Sequence, residues 1–178
     1  MYIDGETYDV DVDIMAGMYG GTQKKKRSQH VQGIKALKAT GGNFAFKFEP
    51  QKVKIEAKRT DGAIDVARIN VIGIVPYFVM KAAAMGRGKS KDAYDIYFLI
   101  RHFDGGPSGL AELFRPYKNL EIIRNMMEKM NEKFASQDHV GPVDVAKFMD
   151  LDDAEEEELV KRDVYEQVQE LLRLIRED

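Results

Sequence analysis

The sequence predicts an α+β protein, with an N-terminal mixed β-sheet over residues 1–74 packed against a helical C-terminal half over residues 75–178. Three observations predict it. Several stretches before Ile74 alternate apolar and polar residues with a period of two, as a half-buried strand does. After Pro76 the period lengthens to that of a helix and stays so to the end. The chain has 178 residues, 44% of them apolar and 32% charged, so it can fill one domain or two small lobes and is too apolar for a disordered chain.

The elements follow in order. Residues 7–15 read Thr-Tyr-Asp-Val-Asp-Val-Asp-Ile-Met, a strict alternation that predicts a strand. Gly17, Gly20, Gly21 and the run Lys24-Lys25-Lys26-Arg27 predict a loop over 16–28. Residues 30–39 are read as a short helix, and Gly41-Gly42-Asn43 as a turn into a strand over 44–48. From Gln51 to Lys58, Val53, Ile55 and Ala57 alternate with charged residues; Thr60-Asp61-Gly62 is a turn signal, and 64–74 supplies a second strand, so the two form a hairpin. Pro76 suits the first turn of a helix running to Arg87. Gly86 and Gly88 end it, and Ser90 is placed to cap the next helix, 91–103. Beyond Gly105-Gly106-Pro107, helices are predicted at 108–117, 120–135 and 143–149. A last one starts near Asp152, with an apolar stripe of Val164, Val168, Leu171, Leu172 and Ile175.

Composition excludes several function classes. The absence of cysteine rules out disulfides, thiolate zinc sites and a cysteine nucleophile, and fits a reducing, cytoplasmic setting. A net charge of −3 argues for neither bulk nucleic-acid binding nor membrane attachment. The first residues lack the charged start and apolar stretch of a signal peptide. The longest apolar run, 71–80, contains Pro76 and stops at Lys81, well short of the roughly 20 residues of a span, so a soluble chain with no membrane partner is expected. No Ser-His-Asp or G-x-S-x-G arrangement points to a hydrolase. His30, His102 and His139 are scattered and read as structural; Met126, Met127 and Met130 read as core or a partner groove. The run Lys24–Arg27 is either a solvated loop or a contact for phosphate oxygens.

Two groups of residues carry candidate chemistry. On an extended strand, Asp9, Asp11 and Asp13 project to one face about 6.6 Å apart in succession. Such a face suits Mg²⁺ or Mn²⁺, which favour carboxylate and phosphate oxygens, or else a sheet edge in water, where charge discourages edge-to-edge pairing. The second group is Lys81, followed by Arg87-Gly88-Lys89-Ser90-Lys91-Asp92-Ala93-Tyr94-Asp95. Asp92 and Asp95 share a helical face near a helix N-terminus, as functional residues or as ordinary first-turn acids.

The order proline, lysine, then R-x-K-x-K-D-x-x-D resembles the signature of the abortive-infection (AbiEii-like) toxin nucleotidyltransferases, and the resemblance covers residues 7–103 best. It implies a mixed sheet with helices, followed by a helical C-terminal region. It also implies transfer of a nucleotide from a nucleoside triphosphate to RNA or protein, with Mg²⁺ (or Mn²⁺) held by carboxylates, and a cognate antitoxin as partner. On this resemblance Lys81, Arg87, Lys89 and Lys91 contact phosphates, while Asp92 and Asp95 line the active site and orient the lysines or the acceptor. Asp11 and Asp13 match the hydrophobic–acid–hydrophobic pattern of a further metal-organising carboxylate. The family's first motif, a G-S or G-G-T turn followed by D-x-D, is not recognisable. Gly20-Gly21-Thr22 is followed by no acid until Glu49, and only eight residues precede Asp9-Val10-Asp11. The expectation is that this motif lies upstream of Met1 or has been lost, and that this chain alone transfers weakly or not at all. The other function class in view is a non-catalytic module that keeps the fold and binds nucleotide, RNA or a partner protein.

Overall fold

The computed structural model describes residues 2–3, 6–7, 12–17, 28–59, 61–85 and 89–177. The fold is α+β. The chain divides into two compact units, Met1–Pro76 and Tyr77–Asp178.

Among the described residues the first unit holds three small sheets. Strands β1 (Tyr2–Ile3) and β2 (Glu6–Thr7) pair antiparallel. Strands β3 (Met15–Gly17), β4 (Ser28–Val31) and β5 (Ile34–Ala39) form a mixed sheet in the order β3-β5-β4, with β3 parallel and β4 antiparallel to β5. Strands β6 (Gln51–Lys58) and β7 (Ile64–Val71) form an antiparallel hairpin in the register Gln51↔Val71 to Lys58↔Ile64.

The hairpin is where the alternation predicts it, but β7 stops at Val71 because the next helix already starts at Ile74. Both strands are exposed on both faces, Val71 alone being half-buried. By the alternation of a strand, Val53, Ile55, Ala57, Ala67, Ile69 and Val71 share one face, and Lys52, Lys54, Lys58 and Arg68 share the other.

Three predictions for this unit are corrected. Residues 12–14 lie outside any strand, and 8–11 fall outside the described residues, so the strand predicted over 7–15 is not seen as one element. Alternation specifies a strand only where one set of side chains is buried, and Val12 and Ile14 remain 79% and 50% exposed. Residues 30–39 are not helical but belong to the β4–β5 hairpin. Its two-residue turn places Gln32 and Gly33 at φ 49° and 81°, the left-handed pair that a tight hairpin turn of this hand requires, and glycine takes that conformation without steric cost. Residues 44–48 are not a strand: Gly42–Ala45 form a one-turn helix, α1, and Phe44 meets Phe48 edge-on at 4.8 Å, a contact of helical spacing.

Among the described residues six helices and a 3₁₀ turn follow: α2 (Ile74–Ala84), α3 (Ser90–His102), α4 (Gly106–Phe114) continued by Arg115–Tyr117, α5 (Glu121–Lys133), α6 (Val140–Met149) and α7 (Ala154–Arg176). The second unit has an aromatic and aliphatic core. Phe78 and Phe114 meet edge to face at 5.4 Å, and Ile96, Ile100, Leu110, Ile123, Met130, Phe134 and Val145 are fully buried. The predicted stripe of α7 is wholly buried, and Met126, Met127 and Met130 are core residues.

Helix ends show where side chains complete the backbone. Ser90 does not cap α3; Lys89 occupies that position, and its side chain makes no capping bond. Asp153 does cap α7, its Oδ1 accepting from Glu155 N at 2.7 Å and Glu156 N at 3.4 Å. Asp153→Ala is expected to lower stability by about 1 kcal/mol in urea denaturation, the usual worth of such a cap. α6 starts at Val140, three residues before its predicted start, because Pro142 is tolerated within a first turn. Helix α3 is tied to α7 by Asp163, whose Oδ2 accepts from Tyr97 Oη at 2.6 Å and Arg101 Nη1 at 2.8 Å. Burial, then the hydrogen bond to Asp163, pushes the Tyr97 phenol above its ordinary range.

Candidate functional site: a lysine held by two aspartates

Helix α2 carries Lys81 near its C-terminal end, where a cation is favoured by the helix dipole. Helix α3 carries Asp92 in its first turn and Asp95 one turn on, and the three-residue spacing puts both on one face. The two helices bring these groups together. Lys81 Nζ donates to Asp92 Oδ1 at 2.9 Å and to Asp95 Oδ2 at 2.5 Å. Lys91 Nζ donates to the other oxygen of Asp95 at 2.7 Å. Tyr77, one turn before Lys81, presents its ring 5.7 Å from the ammonium.

Burial sets the tone of the cluster. The side chains of Lys81, Asp92 and Asp95 are 23%, 12% and 13% exposed. Burial works against the charge on Lys81, but hydrogen bonds to Asp95 and Asp92 outweigh it and raise its pKa. Burial likewise opposes the charge on Asp95, yet Lys81 and Lys91 hold its carboxyl below the ordinary value. Tyr77 is raised, first by burial and then by Asp95. The outcome is a cluster of two lysines and two aspartates in which the shifts of Lys81 and Asp95 both favour the charged forms. An ammonium has three donors, and the carboxylates take two of those on Lys81; among the described residues no third acceptor meets it.

The candidate residues therefore separate. Lys81, Lys91, Asp92 and Asp95 form one cluster. Lys89 is exposed, forms no ion pair among the described residues, and lines a small crevice with Lys133 and Asp144. Arg87 and Asp11 lie outside the described residues, as does the run 24–27. Asp13 is exposed and sits outside any strand, so the ladder of strand carboxylates expected to hold Mg²⁺ or Mn²⁺ is not present over residues 12–14. Among the described residues no three His, Cys, Asp or Glu side chains converge as a metal-holding group, and Asp92 and Asp95 are engaged by lysines. The described donor set does not fit a divalent cation.

Two residues at the cluster escaped the sequence reading. Tyr77 stands four residues before Lys81, a spacing that was legible. Phe148 of α6, whose ring centre lies 5.9 Å from Lys91 Nζ, has no local signal in sequence. Of the histidines, His139, just before α6, has its Nδ1 3.1 Å from the Lys133 carbonyl oxygen, and His102 meets Phe98 edge to face.

Among the described residues no helix is long and apolar enough to cross a membrane. No family model, curated protein or solved structure matches the chain.

Proposed function

We propose that the chain is a nucleotidyltransferase-like protein that binds the phosphates of a nucleoside triphosphate around Lys81. With a complete first motif, such a protein transfers a nucleoside monophosphate to a hydroxyl of RNA or protein, and a cognate antitoxin is its expected partner. The observation that supports this reading is the Lys81 ammonium, largely covered and aimed by two carboxylates from the next helix. A lysine so restrained has already lost the side-chain freedom that binding an oxyanion would otherwise cost, and it keeps one donor for the ligand. Asp92 and Asp95 are positioning residues in this reading, and Lys91 supplies a second cation.

Any Mg²⁺ or Mn²⁺ belongs, on this proposal, to the N-terminal acids Asp11 and Asp13. In a form complete with the first motif, Asp11→Ala is expected to abolish metal-dependent transfer; in a non-catalytic binding module it is expected to leave binding nearly intact. The alternative reading is a non-catalytic nucleotide-, RNA- or partner-binding module, favoured by the poor fit of the described carboxylates to a metal.

Calorimetric titration with ATP and with inorganic tripolyphosphate tests the phosphate reading. Lys81→Met, whose fold is checked by circular dichroism, is expected to weaken both ligands at least roughly tenfold, the loss of one charge-assisted hydrogen bond. If tripolyphosphate binds the wild type and this variant equally, Lys81 is only a helix-to-helix tie and the reading fails.

A further inference from the structure

Resting on that reading, we infer that the aromatic surface made by Tyr94, Phe98 and Phe148 is the nucleobase platform of the same site. Tyr94 and Phe98 stand one turn apart on α3, with ring centres 5.9 Å apart and planes tilted by 40°. Phe148, from α6, stacks on Tyr94 at 4.6 Å and 35°. In a core such rings would be covered, but Phe98 and Phe148 are 47% and 40% exposed. With Tyr94 they form a contiguous aromatic patch that is partly open to solvent.

Lys91 names the occupant. Its Nζ binds Asp95 at 2.7 Å and stands 5.9 Å from the centre of the Phe148 ring, so one cation joins the platform to the Lys81 cluster. A ligand that satisfies both parts needs a flat π-system for the rings and an anionic chain for the lysines. A nucleotide has the two joined through one sugar. An apolar peptide would cover the rings but use neither the exposed ammonium of Lys91 nor the third donor of Lys81. Stacking depends on the face of the base rather than its edge, so all four nucleotides are accepted, purines more tightly because their rings overlap more.

The test compares ATP, GTP, CTP and UTP with inorganic tripolyphosphate by calorimetry on the whole chain, wild type and Phe148→Leu. Phe148 is 40% exposed and leucine keeps an apolar side chain over its covered part; circular dichroism checks the fold, and sedimentation velocity is run on both proteins. The wild type is expected to bind ATP roughly tenfold more tightly than tripolyphosphate, within the usual worth of stacking a base on an aromatic ring. Phe148→Leu should remove most of that advantage and leave tripolyphosphate affinity unchanged. Ring-current shifts of the ATP base protons, present with the wild type and reduced with the variant, would give the same answer.

Equal binding of ATP and tripolyphosphate by the wild type would overturn the platform while leaving the phosphate reading in place. An ATP advantage that survives Phe148→Leu would also overturn it. A change from dimer to monomer in the variant would assign the patch to a second copy of the chain instead. If neither ligand binds the wild type, the phosphate reading fails and the platform falls with it.

Discussion

Lys81→Met is expected to lower the unfolding free energy of the helical unit by about 3 kcal/mol, the lower end of the cost of stranding a buried charge. The substitution keeps most of the side chain's length and apolar packing, so the loss is electrostatic. Asp92 and Asp95, each nearly covered, would face each other without the ammonium that bridges them, and Lys91 reaches only Asp95. Converting both aspartates to asparagine in the Lys81→Met background is expected to restore much of the loss, because a neutral cluster carries no stranded charge. Urea denaturation followed by circular dichroism measures both.

The pH dependence follows from the directions of the shifts. The lowered pKa of Asp95 adds stability that is present above the ordinary carboxylate value and is lost as pH falls through the lowered folded value. The raised pKa of Lys81 adds stability that is present below the ordinary lysine value and is lost as pH rises through the raised folded one. The gap between wild type and Lys81→Met should therefore be flat from about pH 8 to about pH 10, shrink above that, and shrink as pH falls, where the variant's two carboxylates, left without the ammonium, take up a proton more readily than free ones. A gap that grows as pH falls would mean that the cluster does not hold these charges.

The second large effect is expected where α5, α6 and α7 meet. Phe134 is fully buried and ends α5, and its carbonyl oxygen accepts from Gln169 Nε2 of α7 at 2.8 Å. Its ring lies against Gly141 of α6 so closely that a Cβ there would stand 2.6 Å from ring carbons and 2.7 Å from the Lys133 carbonyl oxygen. Phe134→Ala is expected to cost about 3–5 kcal/mol through lost burial and the cavity left behind. Gly141→Ala should cost about 1–3 kcal/mol by the opposite route, overpacking. The pair should not add. With the ring gone, the new methyl group clashes only with the backbone, so the double variant should be more stable than the sum of the two losses predicts, by about 0.5–2 kcal/mol. Strict additivity in denaturation would show that ring and glycine do not constrain each other.

Repetition along the chain decides how much of this fold is legible in the sequence. The helical half was legible because long helices repeat their apolar positions many times; Val164 to Ile175 leave little room for another period. The β6–β7 hairpin was legible because two alternating runs flank an Asp-Gly turn. Residues 30–39 misled because lysine, alanine and leucine favour helices, while the decisive feature is the single pair Gln32-Gly33, which turns the chain by its backbone angles. The aromatic alternation of 44–48 imitates a strand, although Phe44 and Phe48 meet at helical spacing. At the site, Lys81, Asp92 and Asp95 were readable because they lie within two adjoining helices. The contacts of Asp163 with Tyr97 and Arg101, and of Phe148 with Lys91 and Tyr94, join residues far apart in sequence, and no local pattern records them.

The hairpin of β6 and β7 also bears on how the protein behaves in a crowded solution. Its ladder is long, both of its edges are unpaired among the described residues, and Val53, Ile55 and Ile69 on its aliphatic face are exposed, the features that let ribbons stack into insoluble sheets. The opposite face sets Lys54 directly across from Arg68, with Lys52 and Lys58 along the same strand. Like charges in register cost some stability within one ribbon, but they cost far more when two ribbons approach in parallel alignment. Glu56, paired with Lys54 on that face, offsets part of this charge, and the excess of cations is expected to hold copies of the exposed ribbon apart.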